Sequence, residues 1–90
     1  MGYDDRAAID ARVKALLVER LQVATDAGYI DDAATLTDLG LDSTAILSLV
    51  VGLEDTFGIE IPDREISPDN FGRVDDISRY VASRLDRIDR

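Results

Sequence analysis

The sequence predicts an all-α domain, a small four-helix bundle of three main helices and one short helix, with a long loop between the first two main helices. Three observations support this prediction. Apolar residues recur at helical spacings in three segments, turn or capping residues bound these segments, and no stretch alternates with the period of a β-strand. The length of 90 residues suits one domain, residues 1–90, with one modest core.

The first predicted helix runs from about Asp5 to Ala27. Asp4 and Asp5 suit its N-terminus, and Gly28 suits a left-handed C-terminal cap. Its core face is one apolar stripe, consisting of Ile9, Val13, Leu16, Leu17, Leu21 and Ala24. Residues 29–42 carry no helical period, and a loop of this length is usually functional or firmly held. We expect four apolar side chains to anchor it in the core: Ile30, Leu36, Leu39 and Leu41.

The second predicted helix runs from about Ser43 or Thr44 to Phe57, and Gly58 ends it. Either Asp42 or Ser43 can cap its start. Its core face consists of Ile46, Leu49, Val50, Leu53 and Phe57.

The remaining chain predicts a short link, one or two helical turns and a last helix. Ile59 and Ile61 bracket the link, and Pro62 stops regular structure before the turns at residues 63–71. The last helix carries Asp75 and Asp76 in its first turn, where the helix dipole favours acids. Its apolar positions are Val74, Ile77, Val81, Leu85 and Ile88.

The charge balance disfavours two classes of partner. Ten basic residues against nineteen acidic residues give a net charge of −9. This charge disfavours binding to nucleic acid and to anionic membranes, and it attracts a basic protein partner. Composition alone favours a simpler interpretation, in which the acids only keep the domain in solution.

The chain contains no Cys and no His. Disulfides are therefore excluded, a Ser-based triad lacks its usual base, and zinc lacks its commonest ligands. We expect no enzymatic activity and no metal. The lack of Cys permits a cytoplasmic location, and no signal peptide is visible. Met1 and the polar ends favour a free-standing chain. We expect a monomer.

One group of residues is not explained by a generic helical bundle. Residues 39–43, Leu-Gly-Leu-Asp-Ser, lead directly into the second helix. Gly40 permits a tight turn, and Ser43 falls at the helix N-terminus, where unpaired N–H groups and the positive dipole end favour a phosphate. A serine there is well placed to carry a phosphodiester. The alternative is that Ser43 is only an N-cap, which the Asp-Ser pair alone favours.

A second stripe on the same helix favours an attachment site at Ser43 over a simple N-cap. Ser43, Leu47 and Val51 lie at positions i, i+4 and i+8, beside the core face. Two apolar residues on a solvated face indicate a surface that a partner covers. The alternative is a wide core edge packed by the long loop, and the pattern alone does not choose between the two.

These residues resemble the acyl and peptidyl carrier proteins. The similarity lies in Leu36-Thr37-Asp38-Leu39-Gly40-Leu41-Asp42-Ser43, in residues 53–63 with Phe57-Gly58 and Ile61-Pro62, and in the approach to the last helix at Asn70-Phe71 and residues 74–77. It covers nearly the whole chain.

The resemblance implies a four-helix bundle whose Ser43 receives 4′-phosphopantetheine from coenzyme A through a phosphopantetheinyl transferase. Asp42 belongs to the same attachment site. The thiol of the arm would then hold acyl or aminoacyl groups as thioesters and present them to an acyltransferase, an adenylating enzyme or a ketosynthase. A protein without Cys handles thioesters only with such a borrowed thiol.

The chain departs from the family pattern in two places. Thr44 stands where the family usually has Leu, and Ala45 and Ser48 stand where members of the fatty-acid type often carry acids. This difference favours specialised biosynthesis of polyketides, nonribosomal peptides or starter units.

An arm on Ser43 reaches a partner's active site only if the partner covers that end of the second helix. We therefore expect the close partner contacts to be Thr44, Leu47, Ser48 and Val51. A charged rim around them would comprise Asp42, Glu54 and Asp55. The alternative function is an unmodified acidic helical adaptor for a basic protein, which has no need of a serine after Asp42.

Overall fold

A computed structural model describes residues 6–21 and 29–88 of the chain, with side chains up to residue 86. Within these ranges it forms four α-helices: α1 (Arg6–Leu21), α2 (Ser43–Phe57), α3 (Pro68–Phe71) and α4 (Val74–Ile88). A 3₁₀ helix, Asp63–Glu65, precedes α3. The predicted helical bundle is confirmed. The predicted end of the first helix at Ala27 and the cap at Gly28 lie outside the described residues, as does Ala24.

Helix α2 begins and ends as local sequence signals predict. Asp42 is its N-cap, because the Asp42 Oδ1 atom accepts the backbone N–H of Ala45 at 2.9 Å. Gly58 ends the helix in the left-handed conformation, with φ of 67°, and donates its N–H to the Glu54 carbonyl oxygen at 2.9 Å. The choice of cap is thereby settled, since Ser43 is the first helical residue and not the cap.

The core forms where α1 packs against α2 and α4, while α3 packs against α4. Leu17, Leu49 and Leu53 are completely shielded from solvent. Burial confirms the predicted core face of α2 except at Ile46, which is only half-buried and packs against the edge of the core. The predicted apolar positions on α4 that are completely buried are Val74, Ile77 and Val81.

The long loop is held more firmly than its apolar residues alone predict. Ile30 and Leu36 are buried as expected, while Leu39 and Leu41 are half-buried against the core. Backbone hydrogen bonds also join the loop to the segment before α4: the Leu36 N–H donates to Gly72 O at 3.2 Å, and the Val74 N–H donates to Ala34 O at 3.0 Å. Nothing in the local sequence predicts this pairing.

A charged cluster fastens the loop to α1. Lys14 Nζ lies 2.9 Å from Asp10 Oδ2 and 2.6 Å from Asp32 Oδ1, and the buried Ser78 hydroxyl of α4 donates to Asp10 Oδ1 at 2.9 Å. Partial burial opposes the charge on Lys14, but hydrogen bonds to Asp32 and Asp10 outweigh it and raise the pKa of the Lys14 ammonium. The hydrogen bond from Lys14 lowers the pKa of Asp32.

We expect Asp32→Asn to remove part of the pH dependence of stability. The lowered pKa means that the Asp32 carboxylate stabilises the fold above its unfolded pKa of about 3.9, and that this contribution is lost as pH falls further. Because Asp32 is exposed, the loss at pH 7 should be at most about 1 kcal/mol. Urea unfolding between pH 7 and pH 3 measures it, with exposed Asp69→Asn as control. Parallel stability curves for wild type and Asp32→Asn would contradict the assignment.

Candidate functional site

Ser43 stands at the end of a tight turn and at the start of α2. Gly40 adopts a positive φ of 80°, which favours glycine, and its N–H donates to Thr37 O at 2.9 Å. The Leu41 N–H donates to Leu36 O at 3.0 Å. The turn thus carries the chain from the buried Leu36 outward, and the Ser43 side chain is exposed at the helix N-terminus.

The start of α2 retains donors for an anion. Asp42 occupies two of the first N–H groups, since its side chain accepts from Ala45 and its carbonyl oxygen accepts from Ile46 at 3.0 Å. The N–H groups of Ser43 and Thr44 have no acceptor among the described residues. These groups and the positive end of the helix dipole favour a phosphate at Ser43. The site therefore fits a phosphodiester on the Ser43 Oγ atom.

An apolar cleft opens beside Ser43. Its volume is about 420 Å³, and its walls include Ser43, Ile46, Leu47, Ile66, Pro68 and Phe71. The Phe71 ring packs on Tyr80, with centroids 5.7 Å apart, and the Tyr80 hydroxyl donates to Glu65. Sequence reasoning missed this cleft, because half of its walls come from residues 66–72, which local patterns do not relate to α2.

The exposed face of α2 is apolar at its centre. Leu47 is 55% exposed and Val51 is 51% exposed, so the long loop does not cover them as a core edge. Thr44 is exposed and Ser48 is half-buried beside them. The residues predicted to contact a partner therefore share one accessible side of the helix, next to Ser43.

The three acids predicted at the rim differ in their surroundings. Asp42 caps α2 while staying exposed, and Asp55 is exposed near the other end of the helix. Glu54 is half-buried, and its Oε2 atom accepts the N–H of Ile61 at 2.9 Å. This bond holds the link that follows α2, so Glu54 has a structural role that the sequence did not reveal.

A second groove, of about 480 Å³, lies between α1, the loop and the start of α4. Charged residues line it, and they are paired with one another: Arg6 with Asp75 at 2.8 Å, and Lys14 with Asp10 and Asp32. Paired charges offer little to an acyl chain or to a further ion, so the candidate site is the cleft at Ser43.

Two other kinds of site are absent from the residues that the structure describes. These residues contain no cluster of side chains able to hold a metal ion. No helix among them combines the length and the hydrophobicity that a membrane crossing requires.

Residues 11–81 match the family model described as a phosphopantetheine attachment site. The match covers well over half of the chain, which therefore belongs to this family of carrier proteins. The family identification agrees with an exposed serine at a helix N-terminus beside an apolar cleft.

Within this family the chain is similar to acyl carrier proteins. It is 40% identical over 70 residues to one from Zymomonas mobilis, which covers 78% of this chain and 86% of the relative. It is 42% identical over 69 residues to one from Campylobacter hominis, covering 77% and 84%. The crystal structure of an acyl carrier protein from Thermotoga maritima superposes with a TM-score of 0.80 at 28% identity, over 98% of this chain and 99% of that one.

Acyl carrier function follows from the family and its relatives. The chain carries covalently bound 4′-phosphopantetheine and is a carrier, not an enzyme. Its partners are a phosphopantetheinyl transferase and enzymes that process acyl groups.

We expect Asp42→Ala and Ser43→Ala to differ in stability. Asp42→Ala removes the N-cap of α2 and should cost about 0.5–2 kcal/mol. Ser43→Ala removes no side-chain hydrogen bond to another described residue and should change stability by less than about 0.5 kcal/mol. Urea unfolding followed by circular dichroism at 222 nm compares the two variants. A larger loss for Ser43→Ala than for Asp42→Ala would mean that Ser43 is chiefly structural.

Proposed function

We propose that Ser43 is the residue that carries the 4′-phosphopantetheine arm, and that the chain is one acyl carrier domain. The observation that supports this most directly is the exposed Ser43 hydroxyl at the start of α2, beside two backbone N–H groups without acceptors in the described structure. The neighbouring Asp42 supplies the helix cap, so that Ser43 is available for modification.

The attachment reaction asks little of this chain. The transferase removes the Ser43 proton, and the Oγ atom forms a bond to phosphorus while the pyrophosphate bond of coenzyme A breaks. Adenosine 3′,5′-bisphosphate leaves. The chain contributes an accessible hydroxyl and a positive helix end that favours the phosphodiester formed. The arm also supplies the thiol, since the chain contains no Cys.

We propose that the cleft shelters apolar parts of the arm or its acyl group. Ser43 lines the cleft, so an arm that folds back from its Oγ atom enters directly between Leu47 of α2 and Ile66 and Phe71 on the opposite wall. Apolar walls favour an acyl chain because contact with them removes apolar surface from water.

We further propose that partners dock on the exposed face of α2. Leu47 and Val51 provide the apolar centre, Thr44 and Ser48 lie beside them, and acids including Asp42, Glu54 and Asp55 surround them. Such a surface suits a partner with an apolar patch bordered by basic residues. Because Glu54 also holds Ile61, Asp55 is the cleaner residue for testing the charged rim.

The pathway forms a finer part of the proposal. We propose that the chain works in the cytoplasm. We also propose that it serves the synthesis of specialised acyl products, such as polyketides or starter units for related assembly, because Ala45 and Ser48 stand where carriers of the fatty-acid type often have acids. Acyl cargo is favoured over aminoacyl cargo by the names of the two relatives. A panel of purified malonyltransferases, acyltransferases, ketosynthases and adenylating enzymes compares the routes. Preferred loading by a fatty-acid malonyltransferase would contradict the specialised role.

We predict that Ser43 alone accepts the arm. Wild type incubated with coenzyme A and a broad-specificity phosphopantetheinyl transferase should gain the mass of one phosphopantetheine, and Ser43→Ala should gain none. Ser83→Ala is the matched control, since it removes an exposed hydroxyl on α4 rather than α2 and should leave attachment intact. Attachment to Ser43→Ala would contradict the assignment, and an unmodified wild type would favour the adaptor function.

We predict that Leu47→Arg and Val51→Arg each slow loading about tenfold or more. Each places an unpaired charge at the centre of the docking surface, at a cost above about 1.4 kcal/mol. The rate of loading by the enzyme preferred in the panel is the measurement. Tyr29→Arg adds the same charge at an exposed residue in the loop and should load normally. Folded Leu47→Arg and Val51→Arg variants with wild-type rates would place docking elsewhere.

A further inference from the structure

Arg20, in the last turn of α1, lies across the middle of α2. Its Nε atom donates a hydrogen bond to the backbone carbonyl oxygen of Ser48 at 3.0 Å. Gly52, one turn further along α2, is buried beneath the arginine side chain, and a Cβ atom there would lie 2.8 Å from Arg20 Cδ. Glycine is unfavourable inside a helix, but here its missing side chain leaves room for Arg20 to pack against the α2 backbone.

This contact between Arg20 and α2 borders the proposed docking face. With 3.6 residues per turn, Ser48 lies about 60° around α2 from Val51, on the strip between the exposed face and the buried face of Leu49 and Leu53. The Arg20 side chain is itself exposed. Its positive charge is therefore held at the edge of the apolar centre formed by Leu47 and Val51.

Arg20 differs from other cations on the helices in its partners. Arg6 pairs with Asp75, and Arg79 pairs with Asp76, each within 2.8 Å. Among residues 6–21 and 29–88, no carboxylate forms an ion pair with Arg20. With Nε bound to Ser48, the guanidinium retains its terminal N–H groups, which suit a carboxylate.

We propose that Arg20 is the positive corner of the docking face, and that partner enzymes place a carboxylate against it. This inference rests on the proposed function, which puts the partner over α2. A partner of a chain with net charge −9 is basic over most of its contact surface. A basic side chain of the partner placed against Arg20 would meet a like charge. This corner therefore fixes the partner's orientation and disfavours surfaces that are basic throughout.

The test measures arm transfer by the phosphopantetheinyl transferase of the source organism. At low salt, Arg20→Gln should lower kcat/KM about two- to fivefold, the range for an exposed ion pair, and Arg20→Glu should lower it further. Arg20→Lys keeps the charge and should retain most of the rate. The controls Arg79→Gln and Arg79→Glu make the same charge changes on α4 and should leave the rate unchanged. High salt should reduce the differences.

Gly52→Ala provides an independent variant, because its Cβ displaces Arg20 without removing the charge from the chain. It should slow transfer less than Arg20→Gln while leaving the helical signal intact. Equal rates for all Arg20 variants would overturn this inference alone, as would faster transfer to Arg20→Glu. Losses that persist at high salt and are shared by Arg20→Lys would show a purely structural role. A wild type that accepts no arm would refute the proposed function, and this inference with it.

Discussion

The backbone pairing between the long loop and the segment before α4 positions most of the site. The bonds from Leu36 to Gly72 and from Val74 to Ala34 bring together two parts of the chain that are far apart in sequence. One side of this junction leads through the Gly40 turn to Ser43, and the other carries Phe71 into the cleft wall. Ser43 and the cleft beside it are therefore fixed relative to each other by a few main-chain hydrogen bonds.

This junction requires a residue without a side chain at Gly72. A Cβ atom there would lie 2.5 Å from the carbonyl oxygen of Pro68, so any larger residue would push α3 away from the start of α4. Two hydrogen bonds hold the segment that precedes α3. The Glu65 carbonyl oxygen accepts one from the Asn70 side chain at 2.9 Å, and the Glu65 carboxylate accepts one from the Tyr80 hydroxyl. One wall of the cleft is thus built from residues 66–72, while Ser43 and the wall beside it belong to α2.

Local signals predicted α2 closely, since its limits depend on residues within one turn of them. Asp42 and Gly58 set its ends, and the apolar period set its buried face. The cleft and the packing of Arg20 on α2 depend on contacts between distant segments, which the spacing of apolar residues does not encode. Glu54 shows the same limit: it looked like a surface acid, yet it accepts a hydrogen bond from Ile61. The proposal that Ser43 carries the arm comes from resemblance to a known family, because the Asp-Ser pair alone favours a helix cap.

The cluster around Lys14 has a consequence for the chemical fate of the cargo. A thioester is lost to any amine, thiol or imidazole that reaches it, and this chain contains no Cys and no His. Lys14 is its single lysine, and an amine attacks only when it is unprotonated. Asp10 and Asp32 hold the Lys14 ammonium in two short ion pairs and raise its pKa. The side chains of this carrier thus offer its own activated acyl group very few competing nucleophiles.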